Sequence, residues 1–239
     1  MTSQSDQALA ILQGLIERGE LRPGSMVSER GLMELTGFGR TPVREAIQRL
    51  ALSHMLRIHP NRGIEIPAIS VEDQLSGLEV RRATELLAVT LACDRATPEE
   101  LAEMQVLAES LTGEFSLQSY AEKVRQTHAF IIRAAHNPYL EVLMTPLQAL
   151  SRRFWVMHVQ DEAKEIGIGK ALHQRLLRSI SRREVASASQ ASLELNDYLV
   201  QFALEVVSQR ARRKGVSPVD LRREGYPPAP SLSLPERRL

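Results

Sequence analysis

The sequence has few aromatic residues and almost no cysteine, and both shortages narrow the choice of fold. Aromatic residues make up 4% of the 239-residue chain, although its hydrophobic fraction is 43%. Leucine and alanine are abundant within that fraction, which favours packed helices over a sheet. The single cysteine, Cys93, excludes an internal disulfide bond and is typical of a reducing cytoplasm.

Other absent features exclude whole classes of protein. No apolar run approaches membrane-spanning length, and no charged-then-apolar signal segment opens the chain, so we expect a soluble cytoplasmic protein without a membrane partner. We also find no nucleophile elbow, no phosphate-binding glycine loop and no pair of histidines four residues apart around a glutamate. The sequence therefore does not predict an enzyme. Its length leaves room for two domains.

The most informative segment is residues 37–52, which predict a short basic helix. Thr41 is expected to cap this helix, with Pro42 at its first position. Arg40 would enter the helix, and Arg44 and Arg49 would project from the side opposite its apolar face. Between residues 40 and 62 there are five arginines and one acidic residue. Such a helix suits the major groove of DNA, where a guanidinium can bind guanine or phosphate.

The segments around this helix predict a winged helix-turn-helix over residues 1–67. An amphipathic helix over 6–18 and a short helix over 29–35, capped by Ser28, come before it. Two alternating strands at 56–59 and 64–67 follow it and form a hairpin, the wing. Arg62 at the tip of the wing would reach a minor groove or a phosphate.

These residues carry a family resemblance. Residues 16–66 resemble the N-terminal domain of the GntR family of bacterial transcription regulators, through the segments LRPGS at 21–25, SER at 28–30, RTPVREA at 40–46, QRL at 48–50 and PNRG at 60–63. Two positions depart from the family pattern: Gly39 replaces a usual serine or threonine, and His54 replaces a usual glycine. The resemblance implies that DNA is contacted by Arg30, Arg40, Thr41, Arg44, Arg49, Arg62 and Gly63.

Residues 68–213 predict a bundle of about six helices, so the chain as a whole is mainly α. This segment resembles the FCD domain of the FadR branch, in its VanR-like subgroup, through the motifs at 78–85, 128–140 and 173–177. The resemblance implies a homodimer whose helical domain encloses a small organic acid, often beside a divalent metal. Residues 214–239 are basic and rich in proline, and we predict a disordered tail.

The metal site implied by the resemblance is incomplete in this sequence. His128 and His173 match two of the four ligand positions, but Val124 and Leu195 stand at the others, and apolar side chains cannot bind a metal. Two alternatives stay open. A divalent metal such as zinc would need Glu194, Asn196 or Asp197 as substitute ligands; otherwise His128 and His173 are hydrogen-bonded histidines of the pocket or the core, which we favour.

Arg81 is the strongest candidate for binding an effector, together with His128 and His173. A buried arginine needs a partner, and Glu85, one helical turn later, would supply one. The resemblance favours a second role, in which the Arg81 guanidinium binds a ligand carboxylate. Both roles would hold if Glu85 released Arg81 when the ligand arrives.

The sequence thus predicts a dimeric regulator that binds double-stranded DNA at a palindromic operator and responds to a carboxylate metabolite. An alternative is a dimer that binds DNA without any ligand because its effector site has degenerated. The sequence does not distinguish a repressor from an activator.

Overall fold

The computed structural model describes residues 3–213, with side chains described to residue 209. The predicted tail, 214–239, lies outside the described residues. Within them the chain forms α-helices joined by short loops, with one small sheet near the N-terminus. The elements are α1 (Gln4–Glu17), β1 (Met26–Val27), α2 (Glu29–Thr36), α3 (Arg40–Leu52), β2 (Arg57–His59), β3 (Gly63–Glu65), α4 (Val71–Arg95), α5 (Pro98–Ser110), α6 (Leu117–Ala134), α7 (Pro138–His158), α8 (Glu162–Ser181) and α9 (Val185–Arg213).

The N-terminal part is a winged helix, as predicted. α2 and α3 form the helix-turn-helix, and the turn between them begins at Gly37, whose φ of 71° ends α2 in a left-handed conformation. β2 and β3 form the predicted hairpin. β1 pairs with the other edge of β3 and gives the sheet order β1-β3-β2. The sequence did not reveal β1, because two residues are too few to show an alternating pattern.

The start of α3 corrects the prediction made for Thr41 and Pro42. The N-cap is Gly39, which has no side chain to cap the helix, and Arg40 is the first helical residue. The carbonyl of Gly39 accepts the hydrogen bond of the Val43 amide at 3.3 Å, so the helix begins two residues before the expected first position. Pro42 is tolerated inside this first turn because the amides there have no helical partner.

The C-terminal part is a bundle of six helices, α4 to α9, as predicted. Side-chain caps define several helix starts, and those of α4 and α5 are capping boxes formed by Ser70 and Thr97. The long helix α4 packs against α6, α7 and α9, and its Cys93 is buried in the core. No helix within residues 3–213 is long and apolar enough to cross a membrane.

The two parts have separate cores that meet at α7. The N-terminal core is built from α1, α2, α3 and the sheet, and it includes Leu12, Ile16, Val43, Ile47, Leu50 and Ile64. Ala149 of α7 is fully buried within this same cluster, and Leu150 packs against it. α7 therefore belongs to the bundle and at the same time supports the winged helix.

Candidate functional site

The first candidate site is the arginine-rich surface of α3. The Nε atoms of Arg40 and Arg44 lie 2.9 and 2.8 Å from the two carboxylate oxygens of Glu29 on α2. The hydrogen bond from Arg44 lowers the pKa of the Glu29 carboxyl. Both arginine side chains remain more than half exposed, so a phosphate or a guanine edge could replace Glu29 without any rearrangement of the core.

The other predicted DNA contacts surround this pair. Arg49 pairs with Asp6 at 2.6 Å and Arg30 with Glu34 at 2.9 Å, both at the surface. Thr41 and Arg62 are exposed. The backbone at Gly63 also favours glycine, because its φ is 113° and a Cβ atom there would lie 3.0 Å from the Val27 carbonyl oxygen.

The two departures from the family pattern have visible structural consequences. Gly39 caps α3 without a side-chain hydrogen bond, as its missing hydroxyl requires. His54 has a φ of 58°, so the left-handed residue after α3 carries a side chain where glycine is usual.

The second candidate site is a small pocket inside the helical bundle, with a cavity volume of about 40 Å³. Arg81, His128 and His173, which the sequence singled out, all line it. Val124 and Leu195, which occupy the two remaining ligand positions, also line it. The other walls are mainly aromatic and polar: Tyr120, Ala121, Gln148, Ser151, Arg152, Trp155, Gly169, Tyr198 and Leu199.

Arg81 is buried and paired with Glu85 in this structure. Its Nε and Nη2 atoms lie 3.0 and 2.6 Å from the same oxygen of Glu85, and the side-chain amide of Gln148 donates to that oxygen at 3.3 Å. Arg81 is 2% exposed and Glu85 is 7% exposed. The structural pairing that the sequence left open is therefore present, and it neutralises both charges.

The two histidines are hydrogen-bonded to each other. The Nδ1 atom of His173 lies 2.7 Å from the carbonyl oxygen of Gly169, so this nitrogen carries the proton and donates it. Its Nε2 atom is then free to accept from Nε2 of His128, 3.2 Å away. This assignment leaves Nδ1 of His128 as a buried acceptor without a partner among the described residues.

Burial sets the charge of this pair. It lowers the pKa of His173 to about 4 and holds the pKa of His128 well below its usual value, with the neighbouring His173 adding to the effect. Both imidazoles are therefore neutral near pH 7. Burial also raises the pKa of the nearby Tyr120 hydroxyl, which lies 3.2 Å from Nδ1 of His173.

The side chains available as metal ligands in this pocket do not form a closed metal site. The described residues contain no cluster of three or more histidine, cysteine, aspartate or glutamate side chains able to hold a metal. The substitute ligands considered above already have partners: Glu194 pairs with Arg175, Asp197 with Arg82 at 2.5 Å, and the amide of Asn196 donates to the Leu78 carbonyl at 3.1 Å. Two imidazoles alone do not complete a tetrahedral zinc site.

Sequence reasoning missed the residues that join the pocket to the winged helix. Arg152 lines the pocket, and its Nε and Nη2 atoms lie 3.1 and 2.7 Å from Oε2 of Glu17 on α1. The next residue, Arg153, donates from Nη2 to the carbonyl of Pro67, between the two parts, at 2.8 Å. No spacing pattern marks these contacts, because they join positions 135 and 86 residues apart.

A winged helix joined to an all-helical bundle with an internal pocket defines a class of bacterial DNA-binding regulator. Residues 4–66 match the family model described as bacterial regulatory proteins, gntR family, and residues 77–197 match the FCD domain. The chain therefore belongs to the GntR family of transcriptional regulators and carries an FCD domain, as the resemblance indicated.

Proteins with similar sequences are also named as transcriptional regulators. The transcriptional regulator McbR of Escherichia coli K12 is 29% identical over 132 residues, which cover 55% of this chain and 60% of McbR. The Nta operon transcriptional regulator of Aminobacter aminovorans is 25% identical over 82% of this chain and 95% of its own length. These names point to a regulator rather than an enzyme.

Solved structures agree with the fold. The structure of E. coli McbR/YncC superposes with a TM-score of 0.70 at 22% identity and covers 86% of this chain and 99% of that one. A GntR regulator from Rhodococcus sp. RHA1 gives a TM-score of 0.66 at 20% identity, covering 87% of this chain and 99% of the other.

Proposed function

We propose that this protein is a homodimeric transcriptional regulator whose operator affinity is set by a small carboxylate bound beside Arg81, His128 and His173. The observation that carries the proposal is the convergence of these three side chains on one pocket in a bundle that packs against the DNA-binding winged helix. The alternative residues for a metal are engaged elsewhere, so the proposed ligand is held by hydrogen bonds and charge alone.

The pocket chemistry suits a carboxylate. Both Arg81 donors that bind Glu85 share one oxygen, so the guanidinium is not matched to a carboxylate in the two-oxygen geometry that it favours. The neutral histidines add hydrogen-bonding groups without adding charge. Aromatic walls such as Trp155 would cover the apolar part of an organic acid.

DNA binding is proposed to use the α3 surface and the wing. Arg40, Arg44 and Arg49 would enter the major groove, with Thr41 and Arg30 beside them and Arg62 and Gly63 at the flanking groove. The contacts of four of these residues would replace surface ion pairs, and surface pairs of this kind are weak: Arg30, Arg40, Arg44 and Arg49. Such a regulator would act in the cytoplasm.

A homodimer is supported by apolar side chains left exposed on α4 and α7. Val80 and Leu87 lie two turns apart on α4, and Val142 and Leu143 are exposed near the start of α7. Because α4 packs against α7, a second copy of the chain could bury both sets. Sedimentation of Leu87→Glu/Leu143→Glu should show a monomer, whereas Val106→Glu on α5, also exposed, should leave the dimer intact.

The ligand-independent alternative has one observation in its favour: Glu85 already satisfies Arg81. Thermal melting with acetate, benzoate and succinate separates the two proposals. A melting shift that is present in the wild type and lost in Arg81→Gln/Glu85→Gln supports the carboxylate sensor. Operator binding without any shift from these acids supports the ligand-independent dimer.

A further inference from the structure

We infer that Arg152 is the switch through which a bound carboxylate controls the winged helix, because the same guanidinium faces the pocket and binds Glu17 of α1. This inference rests on the proposed carboxylate site. It assigns to Arg152 a role that neither the family motifs nor the sequence pattern supplies.

Arg152 stands on the wall between two spaces. One is the pocket in the bundle, and the other is a cleft between α1 of the winged helix and helices α6 and α7. Arg152, Gln148 and Ala121 line both spaces. Glu17 lies on the cleft side only, so the guanidinium reaches from the pocket wall to the other domain.

The Arg152–Glu17 pair is largely buried, so removing one partner would leave the other charge without compensation. The two side chains are 7% and 12% exposed, and two nitrogens of Arg152 donate to one oxygen of Glu17. The other Glu17 oxygen accepts from the amide of Gln13 at 2.7 Å. This largely buried ion pair therefore helps to hold α1 against α7.

Two arginines line the pocket, and each has a glutamate partner. A ligand carboxylate that binds Arg81 alone would leave Glu85 unpaired inside the bundle, which is costly because Glu85 is only 7% exposed. A carboxylate that binds Arg152 would release Glu17, which lines the cleft and can move outward with α1. Release of Glu17 is therefore the less costly exchange.

This exchange links ligand binding to the position of the winged helix. When the ligand carboxylate takes the Arg152 donors, α1 loses its ion pair with α7, which weakens the attachment of α1 to the bundle. The packing of Ala149 and the hydrogen bond from Arg153 to Pro67 remain, so the winged helix can shift without separating from α7. Coupling of this kind is reciprocal, so a change at Glu17 that weakens the pair and leaves Arg152 in place should strengthen ligand binding. This consequence can be measured without knowing the operator.

The test is the affinity for acetate, benzoate and succinate, measured by calorimetry on the full chain. Glu17→Gln removes the competing charge and should raise the affinity for at least one of these acids about tenfold, which corresponds to about 1.4 kcal/mol. Arg152→Gln should abolish binding, and Arg152→Lys should weaken it because it loses the two-pronged geometry. Glu20→Gln is the matched control, because Glu20 pairs with exposed Arg18 near the same end of α1.

A conformational readout accompanies the affinity. Spin labels on the winged helix and on α8 should show a broader distance distribution in Glu17→Gln than in the wild type, and circular dichroism should show that both are folded. Equal carboxylate affinity in Glu17→Gln and wild type would contradict the proposed role of Arg152 as a switch, and it would leave the proposed function intact. Absence of binding by all three acids in wild type and Glu17→Gln would contradict the carboxylate site itself.

Discussion

The Nε2 atoms of His128 and His173 lie 3.2 Å apart and form a hydrogen bond between two buried, neutral imidazoles. A proton on His173 would break this arrangement, because Nε2 of His173 must accept. The unfolded chain has no such restriction, and its histidines titrate near 6.5. The pair therefore makes the stability of the protein depend on pH.

The sign follows from the lowered pKa values. The unfolded chain binds protons more readily than the folded one, so the stability contributed by His173 is present above pH 6.5 and is lost as the pH falls towards 4. For His173, the free energy of unfolding should drop by about 2 kcal/mol between pH 7.5 and pH 5. Urea unfolding at both pH values measures this drop.

Two matched variants test whether His173 causes this dependence of stability on pH. His173→Gln should reduce the difference between the two pH values, whatever its effect on stability at a single pH. His54→Asn, at an exposed left-handed position that asparagine tolerates, should leave the difference unchanged. The assignment would be wrong if His173→Gln and the wild type lost the same stability on acidification.

Restoring the missing ligand types should create a metal site. Val124 precedes His128 by one helical turn, and Leu195 lines the same pocket. Val124→Asp/Leu195→His would supply a carboxylate and a third imidazole, which with His128 and His173 make the four ligands of a tetrahedral zinc site. We expect about one zinc per chain in the double variant and much less in the wild type, measured by mass spectrometry of untagged protein. Stoichiometric zinc in the wild type, lost on His128→Ala, would contradict this account of the donors.

Gly169 makes room for Tyr120 on the pocket wall. A Cβ atom at Gly169 would lie 2.3 Å from the Tyr120 hydroxyl oxygen and 3.0 Å from its Cζ atom. Gly169→Ala should therefore lower the free energy of unfolding by about 1 to 3 kcal/mol, as overpacking does. The loss should be smaller in a Tyr120→Phe background, where the closest contact is gone. Gly167→Ala, two residues earlier in open space, should instead stabilise α8 by up to about 1 kcal/mol.

Arg40 and Arg44 are expected to carry DNA recognition. Arg44→Ala and Arg40→Ala should each weaken operator binding by about 1 to 3 kcal/mol, and Arg40→Ala should also relax base preference. Fluorescence anisotropy with operator and random duplexes measures both effects. Arg178→Ala, at an exposed position on α8, is the control. Equal losses on both duplexes would show that the two arginines contact phosphates only.

The sequence predicted local structure well where the signal was local. The cap at Ser28 was correct, because this polar side chain directly precedes its own helix. The start of α3 was wrong, because Gly39 carries no side chain to mark a cap. β1 was missed because a two-residue strand has no pattern of its own.

The candidate site was predicted only in part. Arg81, His128 and His173 could be named because motifs mark them, and the structure brings them to one pocket. Arg152 could not be named. Its partner, Glu17, lies 135 residues earlier, and only the packing of α7 against α1 brings the two together.

The central claim is that a carboxylate in the bundle changes DNA binding through the pocket. The most direct test is the operator affinity of the wild-type protein, measured with and without a carboxylate that binds it, beside the same pair of measurements on Arg81→Gln/Glu85→Gln. We expect the carboxylate to change wild-type operator affinity at least fivefold and to leave the variant unchanged, a factor typical of coupled sites. Equal operator affinity in the wild type with and without the bound carboxylate would contradict the claim.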